Sequence, residues 1–293
     1  MIPPSELPIN ADGSVFHLHL RPEQLADRII LVGDQGRVAT VAAFFDKIEC
    51  EVQAREFHTI TGSYKGKRIS CVSTGIGCDN VDIVMTELDA LVNIDLEKRE
   101  IKKEKKQLTL VRVGTCGGLQ PFTHLGSFVA SVKSIGFDGL LNYYLDRDLV
   151  CDLDMEEKFK KHMNWSPKKG SPYVAVADPT LIEQIAQKDM IKGITIACGG
   201  FYGPQGRCVR LIPQDPYVDV KVDSFVYHDE KFDEDLKICN FEMESSAVAG
   251  IAALLGHRAM TCCMVIADRY GKDMNTEYKA NINDLIKLVL DRI

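Results

Sequence analysis

Two carboxylates flank a methionine in Phe241-Glu242-Met243-Glu244-Ser245-Ser246, directly before an apolar run, and such a cluster can grip adjacent hydroxyls. The run itself, with Ala247, Val248, Ile251, Ala252, Leu254 and Leu255, has few polar interruptions before Gly256, which predicts a buried helix ending at that glycine. Acidic residues in a first turn also suit the helix dipole, so capping and binding stand level on this motif alone. Capping accounts for one carboxylate more readily than for two.

Three arginines are expected where strands end in glycine turns. Arg37 lies in Gly33-Asp34-Gln35-Gly36-Arg37, Arg55 in Ala54-Arg55-Glu56-Phe57, and Arg112 in Arg112-Val113-Gly114-Thr115-Cys116-Gly117-Gly118. Glycines let backbone N–H groups approach an anion, and the arginine fork matches phosphate oxygens, so the set suggests a pocket for inorganic phosphate or a phosphate ester. Each arginine alone is more often a surface ion-pair residue. Neither glycine-rich segment has the spacing of a Walker loop or of a dinucleotide fingerprint.

A further constellation, Phe201-Tyr202-Gly203-Pro204-Gln205-Gly206-Arg207, follows the Gly199-Gly200 turn. Its flat aromatic surface, glutamine amide and guanidinium suit the edge of a planar base with alternating carbonyl and N–H groups. A plain turn with a surface arginine is the competing reading. His17, in Val15-Phe16-His17-Leu18, is by itself more often a packed residue than a catalytic one. Asp268-Arg269 closes an apolar run where an α/β site would stand, yet such a pair can equally solvate a loop.

The elements that must position these residues are legible as an alternation. Ile29 to Val32 precedes a helical stretch from Val38 to Phe45, and Ile69 to Ser73 precedes another from Val81 to Val92. Later runs end in glycine or acid: Leu108 to Val113 at Gly114, Ile194 to Ala197 at Gly199, and Thr261 to Ala267 at Asp268. That rhythm predicts a largely parallel or mixed sheet covered by helices, with ligands beyond the carboxyl ends of its strands. The charge run Glu97 to Lys106 reads as a solvated helix end or surface loop. The stretch Asp138 to Gly170, which holds the only tryptophan, Trp165, reads as an insertion or lid-like excursion.

Bulk properties narrow the class. A chain of 293 residues closes a core without staples, and its ten cysteines show neither a C-x-x-C pair nor a zinc spacing, so they read as small buried residues of a reducing compartment. Cys262-Cys263 reads as strand core. A net charge of −7 argues against a general nucleic-acid surface while leaving room for a small anion held by a few arginines. The polar, proline-containing start from Met1 to Asn10 lacks a leader pattern, and no apolar run is long enough to span a bilayer. The expectation is a soluble cytoplasmic protein with no membrane partner.

Taken in order, Val15 to Leu18, Gly33 to Val38, Arg55-Glu56-Phe57, Ser73-Thr74-Gly75-Ile76-Gly77, Arg112 to Pro121, Phe201 to Arg207 and Glu242 to Ser245 resemble the nucleoside phosphorylase superfamily, most closely its uridine phosphorylases. Any one motif is weak, and their ordered combination over most of the chain is strong. The resemblance implies a single-domain three-layer α/β/α fold over residues 1–293 with a central mixed β-sheet. It implies a pentosyltransferase that cleaves uridine, or deoxyuridine, with inorganic phosphate as co-substrate in pyrimidine salvage. No cofactor is required by that chemistry.

By the same resemblance Gly33, Arg37, Arg112 and Thr115 bind phosphate, and Arg55 reaches it from a neighbouring subunit. His17 likewise crosses the interface toward the ribose 5′-hydroxyl. Met243 and Glu244 hold the ribose with Glu242 close by, and Gln205 and Arg207 bind the pyrimidine while Phe201 packs on it. The unit is therefore expected to be a homo-oligomer, a dimer or a hexamer built of dimers. Glu56 and Ile76 match two positions of a monovalent-cation (potassium) site at a subunit interface, and Asn80 replaces the usual serine.

Two positions keep alternatives open. Asp268 stands where uridine-cleaving relatives tend to carry asparagine, and the purine branch uses an aspartate nearby to protonate the departing base. Against a purine nucleoside phosphorylase stand Gln205 and Arg207, which must both fit one base edge. The three candidate phosphate arginines argue against a hydrolytic nucleosidase, and a noncatalytic nucleoside-binding or storage protein of the same fold is opposed by the intact set of site residues.

Overall fold

A computed structural model of the chain describes residues 1–230, 233–277 and 281–293. The first half begins with β1 (Arg28–Val32) and α1 (Gln35–Ala42), continues through the antiparallel β2 (Lys47–Ala54), β3 (Phe57–Tyr64) and β4 (Lys67–Ser73), and reaches α2 (Cys78–Asn93). The charge run 97–106 falls in and after a small exposed hairpin of β5 (Ile94–Asp95) and β6 (Glu100–Ile101), in keeping with a solvated surface segment. β7 (Thr109–Gly118), β8 (Phe128–Gly136), α3 (Leu153–Met163), β9 (Tyr173–Val176), α4 (Pro179–Ile185) and β10 (Ile191–Ala197) follow. The last third holds α5 (Val218–Asp223), β11 (Val226–Asp229), β12 (Glu234–Glu242), α6 (Ser245–Leu255), β13 (Arg258–Asp268), β14 (Asp273–Met274) and α7 (Ile282–Arg292).

Three of the helices begin where a short acidic side chain satisfies a free N–H group. Asp34 accepts from Gly36, Asp152 from Met155 and Asp178 from Leu181, the last with Pro179 in the first turn. α6 stops at Gly256 with φ of 79°, a left-handed conformation that costs glycine nothing.

The fold is α/β around a mixed sheet. β1 lies between β4 and β7, parallel to both, and its four residues Ile29 to Val32 are buried, as expected of a strand covered on both faces. α1, α3, α4, α5 and α7 pack on one face, while α2 and α6 pack on the other. Beyond β7 the sheet curls: β7, β13, β8, β10 and β12 pair in turn, and β12 returns antiparallel to β7 through Asn240 opposite Gly118 and Phe241 opposite Gly117. Cys116, Val129, Cys239, Cys263 and Val265 fill a small separate core drawn from four of these five strands. Both cysteines of the 262–263 pair are buried in β13, as expected.

Two expectations are corrected. The sequence Arg112 to Gly118 is no glycine turn: β7 runs extended through all three glycines because β13 pairs with it as far as Gly118. The glycines instead make room, since a Cβ at Gly114 would lie 2.3 Å from Arg112 Nη1 and one at Gly118 would lie 2.5 Å from the Thr123 carbonyl oxygen. Nor is 138–170 an excursion as a whole. Met155, Phe159 and Met163 of α3 are buried in the main core, and Trp165 packs on Phe137 at 4.7 Å. Before α3, Leu141 is buried in the second core, and Tyr143, Leu145 and Leu149 are exposed. Among the described residues no helix is long and apolar enough to cross a membrane.

Candidate active site

A cavity of about 550 Å³ opens where the carboxyl ends of β1, β4, β10, β12 and β13 meet the middle of β7. Gly33, Arg37, Arg112 and Thr115 line one part, Glu242, Met243 and Glu244 another, and Phe201, Gln205 and Arg207 a third. The ring closure at Gly117 and Gly118 brings these parts together, because it carries the end of β12 back against β7.

At the anion end Arg112 is 4 % exposed. Its Nη1 lies 3.1 Å from Glu242 Oε2 and its Nη2 donates to Glu244, while Nε is buried without a hydrogen-bond partner. Burial works against the arginine's charge, but the carboxylates of Glu244 and Glu242 outweigh it and raise its pKa further. Arg37 spends one Nη1 hydrogen on the Val113 carbonyl at 3.3 Å, leaving most of its fork for an anion.

The two carboxylates divide the roles that the sequence left level. Glu242 accepts the N–H groups of Glu244 and Ser245 at 2.9 and 3.0 Å and the Ser245 hydroxyl at 2.6 Å, so it satisfies the first turn of α6. Glu244 makes no cap bond of this kind. It accepts from Gly77 N–H at 2.7 Å and from Arg112. Burial pushes its carboxyl above the usual range, opposed by Arg112 and reinforced by Glu242. Cys78 Sγ donates to the Met243 carbonyl at 3.0 Å, which ties this segment to the start of α2.

At the third end the Arg207 guanidinium lies 3.8 Å from the Phe201 ring centre, donates to the Phe201 carbonyl at 2.7 Å, and donates to Gln205 Oε1. Burial and the nearby charge of Arg269 lower the Arg207 pKa to about 10. Arg269 does not line the cavity. It donates from Nη2 to the Gln205 carbonyl at 2.8 Å and reaches Asp219 at 3.2 Å, so it fixes the loop that carries Gln205 and Arg207. Asp268 also stands off the cavity, its carboxylate folded over its own turn to accept Gly271 N–H at 2.7 Å.

His17 and Arg55 are absent from the cavity wall and stand together beside it. Arg55 occupies the β2–β3 turn with φ of 53°, its guanidinium 5.4 Å from the Phe16 ring centre, and Phe16 meets the His17 ring edge-on at 4.9 Å. Sequence reasoning missed Ile266 and Met274, which add apolar wall. Ile266 sits in the apolar run of β13, whereas Met274, in β14, carried no pattern that pointed to the site.

Glu56 and Ile76 line the rim, and Asn80 turns its Nδ2 to the Ile76 carbonyl at 3.4 Å. That carbonyl oxygen keeps a second lone pair.

A family model described as the phosphorylase superfamily matches residues 27–291. The chain is 26% identical over 291 residues to a uridine phosphorylase of Thermococcus kodakarensis, covering 98% of this chain and 91% of that protein. It is 25% identical over 281 residues to a DeoD-type purine nucleoside phosphorylase of Geobacillus stearothermophilus, covering 94% and 97%. Among solved structures it superposes on a Trypanosoma brucei nucleoside phosphorylase, described as showing uridine phosphorylase activity, with a TM-score of 0.87 at 27% identity and 98% of each chain covered.

Proposed function

The chain belongs to the phosphorylase superfamily and is an enzyme of its pentosyltransferase type, and from that premise we propose that it cleaves uridine, or deoxyuridine, with inorganic phosphate to give uracil and (deoxy)ribose 1-phosphate. The observation that carries the choice of base is the Gln205–Arg207 pair, braced through Arg269, beside an Asp268 whose carboxylate accepts Gly271 N–H and does not line the cavity. An amide next to a guanidinium presents donors to the two carbonyls of uracil. The purine branch, by the resemblance, uses an aspartate near this point to protonate the departing base, and Asp268 is not on the cavity wall.

The chemistry follows from charge. As the glycosidic bond lengthens, the ribose gains positive charge and the base negative charge. Phosphate held by Arg37, Arg112, Gly33 and Thr115 stabilises the ribose from below and then bonds to its anomeric carbon. Gln205 and Arg207 stabilise the leaving uracil, whose charge spreads over two oxygens, so no dedicated acid is needed. The neighbour of Arg112 matters here. Glu244 is paired with it, so a phosphate that takes over the guanidinium frees Glu244 for the ribose 2′- and 3′-hydroxyls.

Arg55 and His17 complete the site from a second subunit in this reading, which is supported by their position together off the cavity wall. The functional unit is then at least a dimer. The test is base release from uridine and inosine, with and without phosphate, for the unmodified protein and for Asp268→Asn. Phosphate-dependent uracil release, unchanged within about twofold in the variant, is expected. Preferential hypoxanthine release that the variant abolishes moves the assignment to the purine branch, which the similarity to purine nucleoside phosphorylases keeps in view. Release without phosphate means hydrolysis, and none from either nucleoside means a binding protein.

A further inference from the structure

Glu87 is a carboxylate that the chemistry above does not use. It lies within α2 and is 5 % exposed. Its partners come from one short segment 69 and 70 residues away: His17 N–H at 3.0 Å, Leu18 N–H at 2.9 Å, and the His17 ring, whose Nδ1 is 2.6 Å from Oε1. An ionised carboxylate only accepts, so the ring hydrogen in that contact belongs to Nδ1. The other ring nitrogen, Nε2, makes no hydrogen bond among the described residues, and the side chain is 28 % exposed. Phe16, edge-on to the ring at 4.9 Å, limits its freedom from the side. The histidine is therefore held at one nitrogen and offered at the other, in the arrangement by which a carboxylate sets tautomer and ring direction for a histidine that binds elsewhere.

We propose that Glu87 is the positioning residue for His17, fixing Nε2 as an outward acceptor that takes the hydrogen of the nucleoside 5′-hydroxyl in the neighbouring subunit's pocket. This rests on the reading of His17 given above and adds a source of selectivity for that hydroxyl. A purely structural carboxylate would pin residues 17 and 18 to α2 with the same two backbone bonds, and the two roles separate on substrate choice.

The informative variant is Glu87→Gln. Its amide oxygen keeps the backbone donors, while its NH2 faces Nδ1, turns that nitrogen into an acceptor and moves the ring hydrogen to Nε2. The readout is the ratio of kcat/KM for uridine to that for 5′-deoxyuridine in the unmodified protein, Glu87→Gln, His17→Ala and the double variant. A hydroxyl can also accept, so Nε2–H in Glu87→Gln keeps a contact but leaves the hydroxyl hydrogen without its acceptor and the ring without its anionic brace, which lowers this ratio about two- to fivefold, and the double variant falls no further than His17→Ala. Equal losses on both nucleosides, or a ratio unchanged in Glu87→Gln but lowered in His17→Ala, overturn the role of Glu87 alone. An unchanged ratio in His17→Ala overturns the reading of His17 and the inference with it. Nitrogen-15 NMR of the His17 ring in the unmodified protein needs no variant to fold: a hydrogen on Nδ1 is expected, and a neutral ring with its hydrogen on Nε2 overturns the proposal.

Discussion

Replacing Glu244 by glutamine tests the ribose end with little change of shape. The carboxylate accepts from Gly77 N–H and from Arg112, and in the reaction it would accept from two ribose hydroxyls. A hydrogen bond to a charged acceptor contributes about 1.5–3 kcal/mol and one to a neutral acceptor about 0.5–1.5, so the variant loses about 1–1.5 kcal/mol per hydroxyl. Uridine, with two, should lose about 2–3 kcal/mol of transition-state binding, a fall of about 30- to 150-fold in kcat/KM. Deoxyuridine keeps only the 3′-hydroxyl and should fall about 5- to 12-fold, so the preference for ribose drops about tenfold. Phosphate-dependent uracil release from both nucleosides measures this directly. Glutamine offers one oxygen to the two donors that Oε1 and Oε2 serve, so either Gly77 N–H or Arg112 loses an acceptor at about 1–3 kcal/mol of unfolding free energy, while Arg112 keeps Glu242 at 3.1 Å. Equal losses for both nucleosides in the folded variant would refute the assignment of Glu244 to the 2′-hydroxyl.

The raised pKa of Glu244 places the acid limb of the uridine kcat/KM profile above the usual glutamate range, and that limb should vanish in Glu244→Gln. For stability the sign is opposite: this group's contribution is greatest below the unfolded pKa and is lost as pH rises through the folded one, which thermal unfolding against pH will show. Subunits carrying Arg55→Ala and Arg112→Ala, each poorly active, should recover activity when mixed and reassembled, and proven exchange without recovery counts against shared sites. Gly206 has φ of 70°, and a Cβ there would meet Val218 Cγ1 at 2.7 Å, so Gly206→Ala should displace Gln205 and Arg207 and raise KM for uridine at least tenfold while costing about 1–3 kcal/mol of stability.

Much of this protein was written in local pattern. Branched runs and glycines marked β1, β4, β10 and β13, and the apolar periodicity before Gly256 marked α6, because strand and helix formation depend on the spacing of apolar side chains along a few residues. The ordered motifs also named the ten residues from Gly33 to Glu244 that were expected at phosphate, ribose and base and that line the cavity together. What local pattern lacks is partnership across the chain. Pairing with β13 turned the expected glycine turn after Arg112 into strand, and burial of Met155, Phe159 and Met163 drew α3 into the core. The division between Glu242 as helix cap and Glu244 as pocket carboxylate, the turning of Asp268 onto Gly271, and the hold of Glu87 on His17 all depend on which groups meet after the sheet closes. Residue type and spacing set which bonds a side chain can form. Only the tertiary structure decided which it forms, because a buried donor or acceptor must take whatever partner the packing leaves within reach.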